Sequence, residues 1–172
     1  YVFPKFPKTT TGFAIENRVA LTRVFPNFFS NANVHRIAGF FQDIQQRLFD
    51  LKGKGARQIA MLSPGPMNQH YAEHAYLARY LGLLLVEGED LIVTDGQAMV
   101  RTVSGPKPIG LLWNRVPAAM IDPLELDAGS LIGTPGLLDA LRRRTLRTLN
   151  AEGAGVLETR ALMAFLPKIA RK

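Results

Sequence analysis

The stretch RQIAMLSPGPMNQHYAEHAYLARYLGLLLVEG, residues 57–88, decides how the rest of the chain is read. It opens on a short apolar run, 57–63, that stops at Pro64-Gly65-Pro66, so it predicts a buried strand ending in a turn. The period then changes. Tyr71, Ala75, Leu77, Ala78 and Leu81 recur at helical spacing, and Gly82 closes the run. LLLVEG (83–88) is a second short apolar run, hence a second strand. The corner between the first strand and the helix carries His70, Glu73 and His74, together with Asn68, a good helix N-cap.

Outward from this unit the pattern repeats. Ile37, Phe40, Phe41, Ile44, Leu48 and Leu51 predict a preceding helix from Asn33, stopped by Gly53 and Gly55. Residues 90–103 hold Asp95-Gly96 between two runs of β character, a hairpin signal. PIGLLWNRV (108–116) is apolar up to Asn114 and Arg115 and predicts another buried strand. After a loop with Asp122-Pro123, Leu137, Leu138 and Leu141 begin a helix with Pro135 near its first turn. Residues 145–150 either finish that helix or form a short strand. Leu162, Phe165, Leu166 and Ile169 share one helical face at the end of the chain. Strands alternating with helices predict an α/β fold: a mainly parallel sheet flanked by helices, with a β-hairpin insertion. Residues 1–33 lack a clean period and read as an extended arm belonging to a larger body, with the α/β domain over 34–172.

Composition narrows the function. At 172 residues, 47% hydrophobic and 20% charged, the chain can bury a core as one domain. The absence of cysteine excludes disulfides and thiolate metal sites, and is compatible with a reducing cytoplasm, the compartment expected here. No apolar run approaches the roughly 20 residues that span a bilayer, and no secretory signal pattern opens the chain. The first residue is not methionine, so the chain is expected to be a piece of a longer protein. The formal charge of +7 comes from basic residues at 51–57, 141–147 and 168–172, away from the only Trp and most Phe. That distribution fits solvated faces rather than a nucleic-acid surface, and no nucleic acid or membrane is expected as partner. Anionic small molecules remain suitable ligands.

The candidate sites are few. HYAEH (70–74) is formally the inverted zinc-protease pattern, with two imidazoles about 6 Å apart on one helix face. Zinc needs a third protein ligand, and the only other histidine is His35, so a zinc hydrolase through His70, Glu73 and His74 is the weaker alternative. The Pro-Gly-Pro corner lacks the Walker pattern, and prolines remove the amide donors a phosphate cradle uses. It would still lie beyond the carboxyl end of a strand, where open α/β sheets bind ligands. EGAGVL (152–157) lacks the third glycine of a dinucleotide fingerprint, and Ser63 stands outside any nucleophile elbow. Arg115 ends an apolar strand, where its guanidinium fork suits a carboxylate or phosphate; the competing reading is an ion pair with Asp122 or Glu125. Glu16-Asn17-Arg18 places three polar residues together at the end of the arm.

The segments TTTGFAIENR (9–18), 62–82, LVEGEDLIVTDG (85–96), DPLELDAGSLIGTPGLLDAL (122–141) and NAEGAGVLETRALMAFLPKI (150–169) together resemble the bacterial circularly permuted ATP-grasp proteins. The likeness covers nearly the whole chain in order. These proteins are similar in organisation to glutathionylspermidine synthetase and the eukaryotic glutathione synthetases. The resemblance implies an ATP-dependent carboxylate–amine ligase acting on small-molecule or peptide substrates, with ATP and Mg²⁺ as cofactors of the full-length protein and none expected in this piece. It also implies a Rossmann-like, substrate-side domain that is inactive alone. Family members are often encoded beside a helical partner protein and a transglutaminase-like protein. By resemblance, Arg115, Arg18, Asn68, Thr11, Gly12, Asn17 and Glu73 bind substrate, while Asn150, Gly153 and Gly155 lie near the nucleotide. No catalytic residue and no metal ligand is assigned. Two departures stand out: Val116-Pro117-Ala118-Ala119 where many relatives carry an acidic cluster, and Gln69 where a glutamate is usual. A non-catalytic scaffold that binds a partner protein is the other class compatible with the sequence.

Overall fold

A computed structural model describes residues 20, 22–27, 38–53, 55, 57–155 and 159–170 of the chain. Its spine is a strand pair whose apolar runs are buried on both faces. Strand β1 (Gln58–Leu62) lies between β2 (Leu84–Val86) and β5 (Lys107–Asn114), parallel to both. The hairpin strands β3 (Leu91–Thr94) and β4 (Gln97–Val100) pair antiparallel, and β4 runs antiparallel to the start of β5. Asp95 and Gly96 both have positive φ, 52° and 71°, as a tight hairpin turn requires. Residues 147–149 resolve the open alternative: they form β6 (Arg147–Leu149), parallel to the end of β5. The sheet order is β2-β1-β5-β4-β3, with β6 also on β5. This is the expected α/β architecture, a mixed, curled sheet flanked by helices.

Alternation along β1 sends Ile59 and Met61 to one face and Ala60 and Leu62 to the other. On the first face lie α1 (Ala38–Leu51) and α2 (Tyr71–Leu81), which bury Phe41, Leu48, Leu77, Ala78 and Leu81 against Leu111 and Trp113. On the second, α3 (Leu137–Arg142) buries Leu137 and Ala140 against Leu112, Ile109 and the hairpin. β5 serves both faces through a register shift at Gly110, where Gln58 faces Ile109 but Ile59 faces Leu111. A Cβ at Gly110 would meet the Lys52 carbonyl oxygen at 2.4 Å, so only glycine fits the bulge without displacement. The helix α2 ends as its sequence predicts, with Gly82 at φ 70° donating to the carbonyls of Ala78 and Arg79.

One expectation needs correction. The apolar face at 162–169 is split into α4 (Arg160–Met163) and α5 (Leu166–Ile169), because Pro167 lacks the amide that would continue one helix. Phe165, Leu166 and Ile169 are exposed there. The arm at 1–33 falls almost wholly outside the described residues, as do 33–37 at the expected helix start. Among the described residues no helix is long and apolar enough to cross a membrane.

The helix α3 has Gly136 at its N-cap and therefore no capping side chain of its own. Asp122, fully buried, supplies the cap from a distance. Its Oδ1 accepts from the amides of Gly136 (3.1 Å) and Leu124 (3.0 Å), and its Oδ2 from Leu138 (2.9 Å). Asp122→Ala leaves buried amides without acceptors and is expected to destabilise the chain by about 3 kcal/mol. Urea unfolding checks this, with Asp122→Asn losing less because one acceptor oxygen remains.

Candidate functional site at the carboxyl edge of the sheet

Polar residues accumulate where the parallel strands end. β1 and β5 leave the sheet in register at Leu62 and Asn114, and the ladder continues one step further. The Arg115 amide donates to the Leu62 carbonyl (2.9 Å), and the Ser63 amide to that of Val86 (2.8 Å). Alternation then directs Ser63 and Arg115 to the face that carries α2, after Met61 and Trp113. The Arg115 guanidinium carbon lies 5.0 Å from the centroid of the Trp113 ring, a cation–π distance. Arg115 is 7% exposed, and Nε, Nη1 and Nη2 are buried with no hydrogen-bond partner among the described residues. Burial lowers its pKa and the Glu73 carboxylate raises it, so Glu73 of α2 faces this cation. An arginine stays charged under these conditions. The ion pairs with Asp122 or Glu125 do not form: Asp122 holds backbone amides, and Glu125 pairs with Arg142.

His74, on the first turn of α2, is buried beside it. Its Nδ1 is 2.9 Å from the Ser63 hydroxyl, which also accepts a hydrogen bond from the Gly65 amide (3.4 Å). With one donor and two lone pairs, the hydroxyl serves the Gly65 amide and the imidazole at once. Burial first, then the charge of Arg115, then His70 push the His74 pKa down to about 4. At neutral pH this ring is uncharged, and it braces the corner without adding a second cation. The His70 ring hydrogen-bonds the Gln69 side-chain amide (3.1 Å), and among the described residues no group of three or more His, Asp or Glu is placed to hold a metal. The zinc reading of HYAEH finds no third ligand there.

Asn68 differs from expectation. Helix α2 begins at Tyr71, after His70, so Asn68 stands too early to cap it. Its Oδ1 instead accepts the His70 amide (2.9 Å), and its carbonyl accepts Tyr71 N (3.0 Å), an Asx turn that shapes the corner. Gly65, at φ 99°, lets the Glu87 carboxylate approach the backbone: a Cβ would lie 2.8 Å from Glu87 Oε2. Thr11, Gly12, Asn17 and Arg18 lie outside the described residues.

The second group follows β6. Asn150, in the left-handed region at φ 61°, donates through Nδ2 to the Asn114 carbonyl (2.9 Å). The Asn114 side chain accepts from the Val116 amide (2.8 Å) and donates to Glu152 Oε1 (3.2 Å). Gly153, at φ 83°, completes the turn; it and Gly155 are exposed. Burial pushes the Glu152 carboxyl up to about 7, with the Asn114 bond opposing, and its Oε2 is buried without a partner. Asn114, Glu152 and the Ser63–His74 brace escaped the sequence reading. Only their positions one or two residues beyond predicted strands pointed to them. Arg115 fits an anionic group, whereas the described residues assemble no divalent-cation site.

The His74 geometry has a pH signature. An unfolded imidazole takes its proton below pH 6.5, the folded one only near 4. Between these values the unfolded state binds more protons, so stability attributable to His74 falls as pH drops from 6.5 to 4. Glu152 works the other way, its contribution falling as pH rises from 4.5 to 7. Urea midpoints of wild type and His74→Gln separate the two. The wild-type advantage should grow from pH 4 to 6.5 and then level off.

The family model for circularly permuted ATP-grasp type 2 matches residues 8–172. An uncharacterized protein of Synechocystis sp. is 31% identical over 159 residues, 91% of this chain and 33% of the relative. Two uncharacterized proteins of Mycobacterium tuberculosis are each 32% identical, one over 157 residues (90% of this chain, 28% of the relative) and one over 164 residues (94% and 19%). The chain thus spans between about a fifth and a third of the length of these relatives. The chain belongs to the circularly permuted ATP-grasp type 2 family.

Proposed function

We propose that the chain forms the substrate side of an ATP-dependent carboxylate–amine ligase similar to glutathionylspermidine synthetase and glutathione synthetase. In this reading Arg115 holds a substrate carboxylate, or the phosphoryl group that develops on it. One observation carries the assignment: a buried guanidinium at a strand end whose Nε, Nη1 and Nη2 have no hydrogen-bond partner among the described residues. Leaving such donors unmet costs free energy, and a carboxylate or phosphoryl oxygen meets them in the geometry the fork favours. Trp113 fixes the plane of the fork, Glu73 sustains its charge, and the neutral His74 spares it a competing cation.

ATP, as the family's cofactor, supplies the phosphoryl group that activates a carboxylate. The residues described here orient the acid and exclude water around it; Mg²⁺ finds no ligand cluster among them. Asn68 shapes the corner that walls the cleft, and Asn150, Gly153 and Gly155 are assigned to its nucleotide side. Arg18, Thr11, Gly12 and Asn17 are assigned to the substrate loop. The substrates are small molecules or peptides bearing a carboxylate and an amine, and a helical protein and a transglutaminase-like protein are the proposed partners.

The test is ATP hydrolysis by the full-length protein, screened against amino acids, polyamines and peptides. With an active pair in hand, Arg115→Ala should lose about 100-fold or more of the substrate-dependent rate. Arg115→Lys should recover only part, because an ammonium lacks the fork. Circular dichroism should show the fold retained. Hydrolysis indifferent to Arg115→Ala would overturn the assignment. A protein that consumes no ATP with any pair would be a non-catalytic scaffold instead.

A further inference from the structure

We propose that Glu152 is an amine-binding carboxylate whose Oε2 receives the ammonium group of a primary amine at the end of β6. The observations are geometric. Oε1 is held by the Asn114 amide, and Asn114 is itself immobilised through Val116 N and Asn150 Nδ2. The turn that presents the carboxyl is built from two left-handed residues, Asn150 and Gly153. Among the described residues Oε2 is buried and has no partner. A pinned carboxyl with one oxygen satisfied and one idle lacks a hydrogen-bond donor from outside the described chain.

The chemistry of that donor follows from the surroundings. Burial raises the Glu152 pKa against the opposing Asn114 bond; no charged group among the described residues contributes. The site therefore has an unbalanced negative charge whenever the carboxyl is ionised. A divalent cation would need several oxygen ligands, and no cluster of acidic side chains stands there. A single ammonium needs one charged acceptor and a few neutral ones, which a strand-end turn provides through its carbonyls. Arg115 leaves β5 one residue after the Asn114 that holds Glu152. Arg115 and Glu152 thus follow the ends of two neighbouring strands, β5 and β6.

The carboxylate also suits the step that follows binding. An amine must lose a proton before it can attack: R–NH₃⁺ and the Glu152 carboxylate become R–NH₂ and the Glu152 carboxylic acid. One N–H bond breaks, one O–H bond forms, and the nitrogen regains its lone pair. A carboxyl pushed up to about 7 accepts that proton far better than an ordinary one near 4.5. Identifying the amine as the ligase's second substrate rests on the function proposed above; the contact itself does not.

Calorimetric titration of the intact protein with n-butylammonium chloride tests the contact, with n-butanol as the uncharged control. Experiments at pH 7 in two buffers of different ionisation heat report proton release. The expected result is binding at least tenfold tighter than butanol, with about half a proton released because the free carboxyl is about half protonated at that pH. Glu152→Gln should lose tenfold or more in affinity and all of the proton release. Glu152→Asp, kept as the variant that preserves the charge, should lose less affinity and retain release. Butylammonium binding no better than butanol, or binding with undiminished proton release in Glu152→Gln, overturns the proposal. ATP hydrolysis does not enter this titration, so a failed ligase assignment and a failed amine contact are read separately.

Discussion

The site depends on the register shift at Gly110. Side chains alternate along a strand with a period of two, so Ile109 and Leu111 would ordinarily share a face. They do not: Ile109 belongs to the α3 side and Leu111 to the side of α1 and α2. The extra residue inverts everything downstream on β5. Trp113 and Arg115 consequently face α2 rather than α3, and Asn114 faces away toward the loop that carries Glu152. A regular strand with the same sequence would exchange those destinations. The cation would leave the Ser63–His74 corner, and Asn114 would leave Glu152. The lack of a side chain at Gly110, with the Lys52 carbonyl against it, therefore determines which polar group reaches which crevice.

That inversion places two groups of opposite sign where burial is costly to each. Desolvation disfavours the charged form of Arg115 and of Glu152, in opposite pKa directions. Arginine cannot escape by losing its proton at accessible pH, whereas the glutamate can. The two ends thus behave differently. Arg115 is a permanent charge tempered by Glu73 and the Trp113 ring, and Glu152 is an exchangeable one. His74 completes the pattern, for protonating it would put a second positive charge beside a guanidinium already short of acceptors. Perturbed groups gathered beyond the strand ends of an α/β sheet are what a binding edge looks like electrostatically.

Periodicity made most of the framework legible. The βαβ run at 57–88, the Asp95-Gly96 hairpin and the apolar strand before Arg115 all have strong local signals, and tertiary packing agrees with them. The sequence was silent where the deciding contact is non-local. β6 has three residues and exists because β5 offers a parallel edge, so residues 145–150 could not choose between helix and strand. Asn68 looked like a cap because an asparagine before an apolar helix usually is one. Two residues of turn intervened, and its side chain closed that turn instead. Arg115 was recognisable from its place after an apolar run. Glu152 was not, since its hydrogen-bond partner Asn114 is 38 positions away.

The long segment 115–136 explains how such an edge keeps its shape without much regular structure. Loops of that length are uncommon unless they serve a site or are held by specific contacts. This one is held by buried polar bonds: Asp122 to three amides, Ser130 Oγ to the Met120 carbonyl (2.6 Å), and Thr134 Oγ1 to the Gly88 carbonyl (3.0 Å). Its backbone also lies tight against its neighbours. A Cβ on Gly88 would meet the Ile132 and Gly133 carbonyl oxygens at 2.6 Å, and one on Gly133 the Met120 carbonyl at 2.2 Å. The loop is therefore fastened to the turn after β2, the same turn whose Glu87 reaches the Pro-Gly-Pro corner. Exits from β1, β2 and β5 are thus tied into one piece. A buried guanidinium at a strand end keeps its position through that kind of support, from groups that do not touch it.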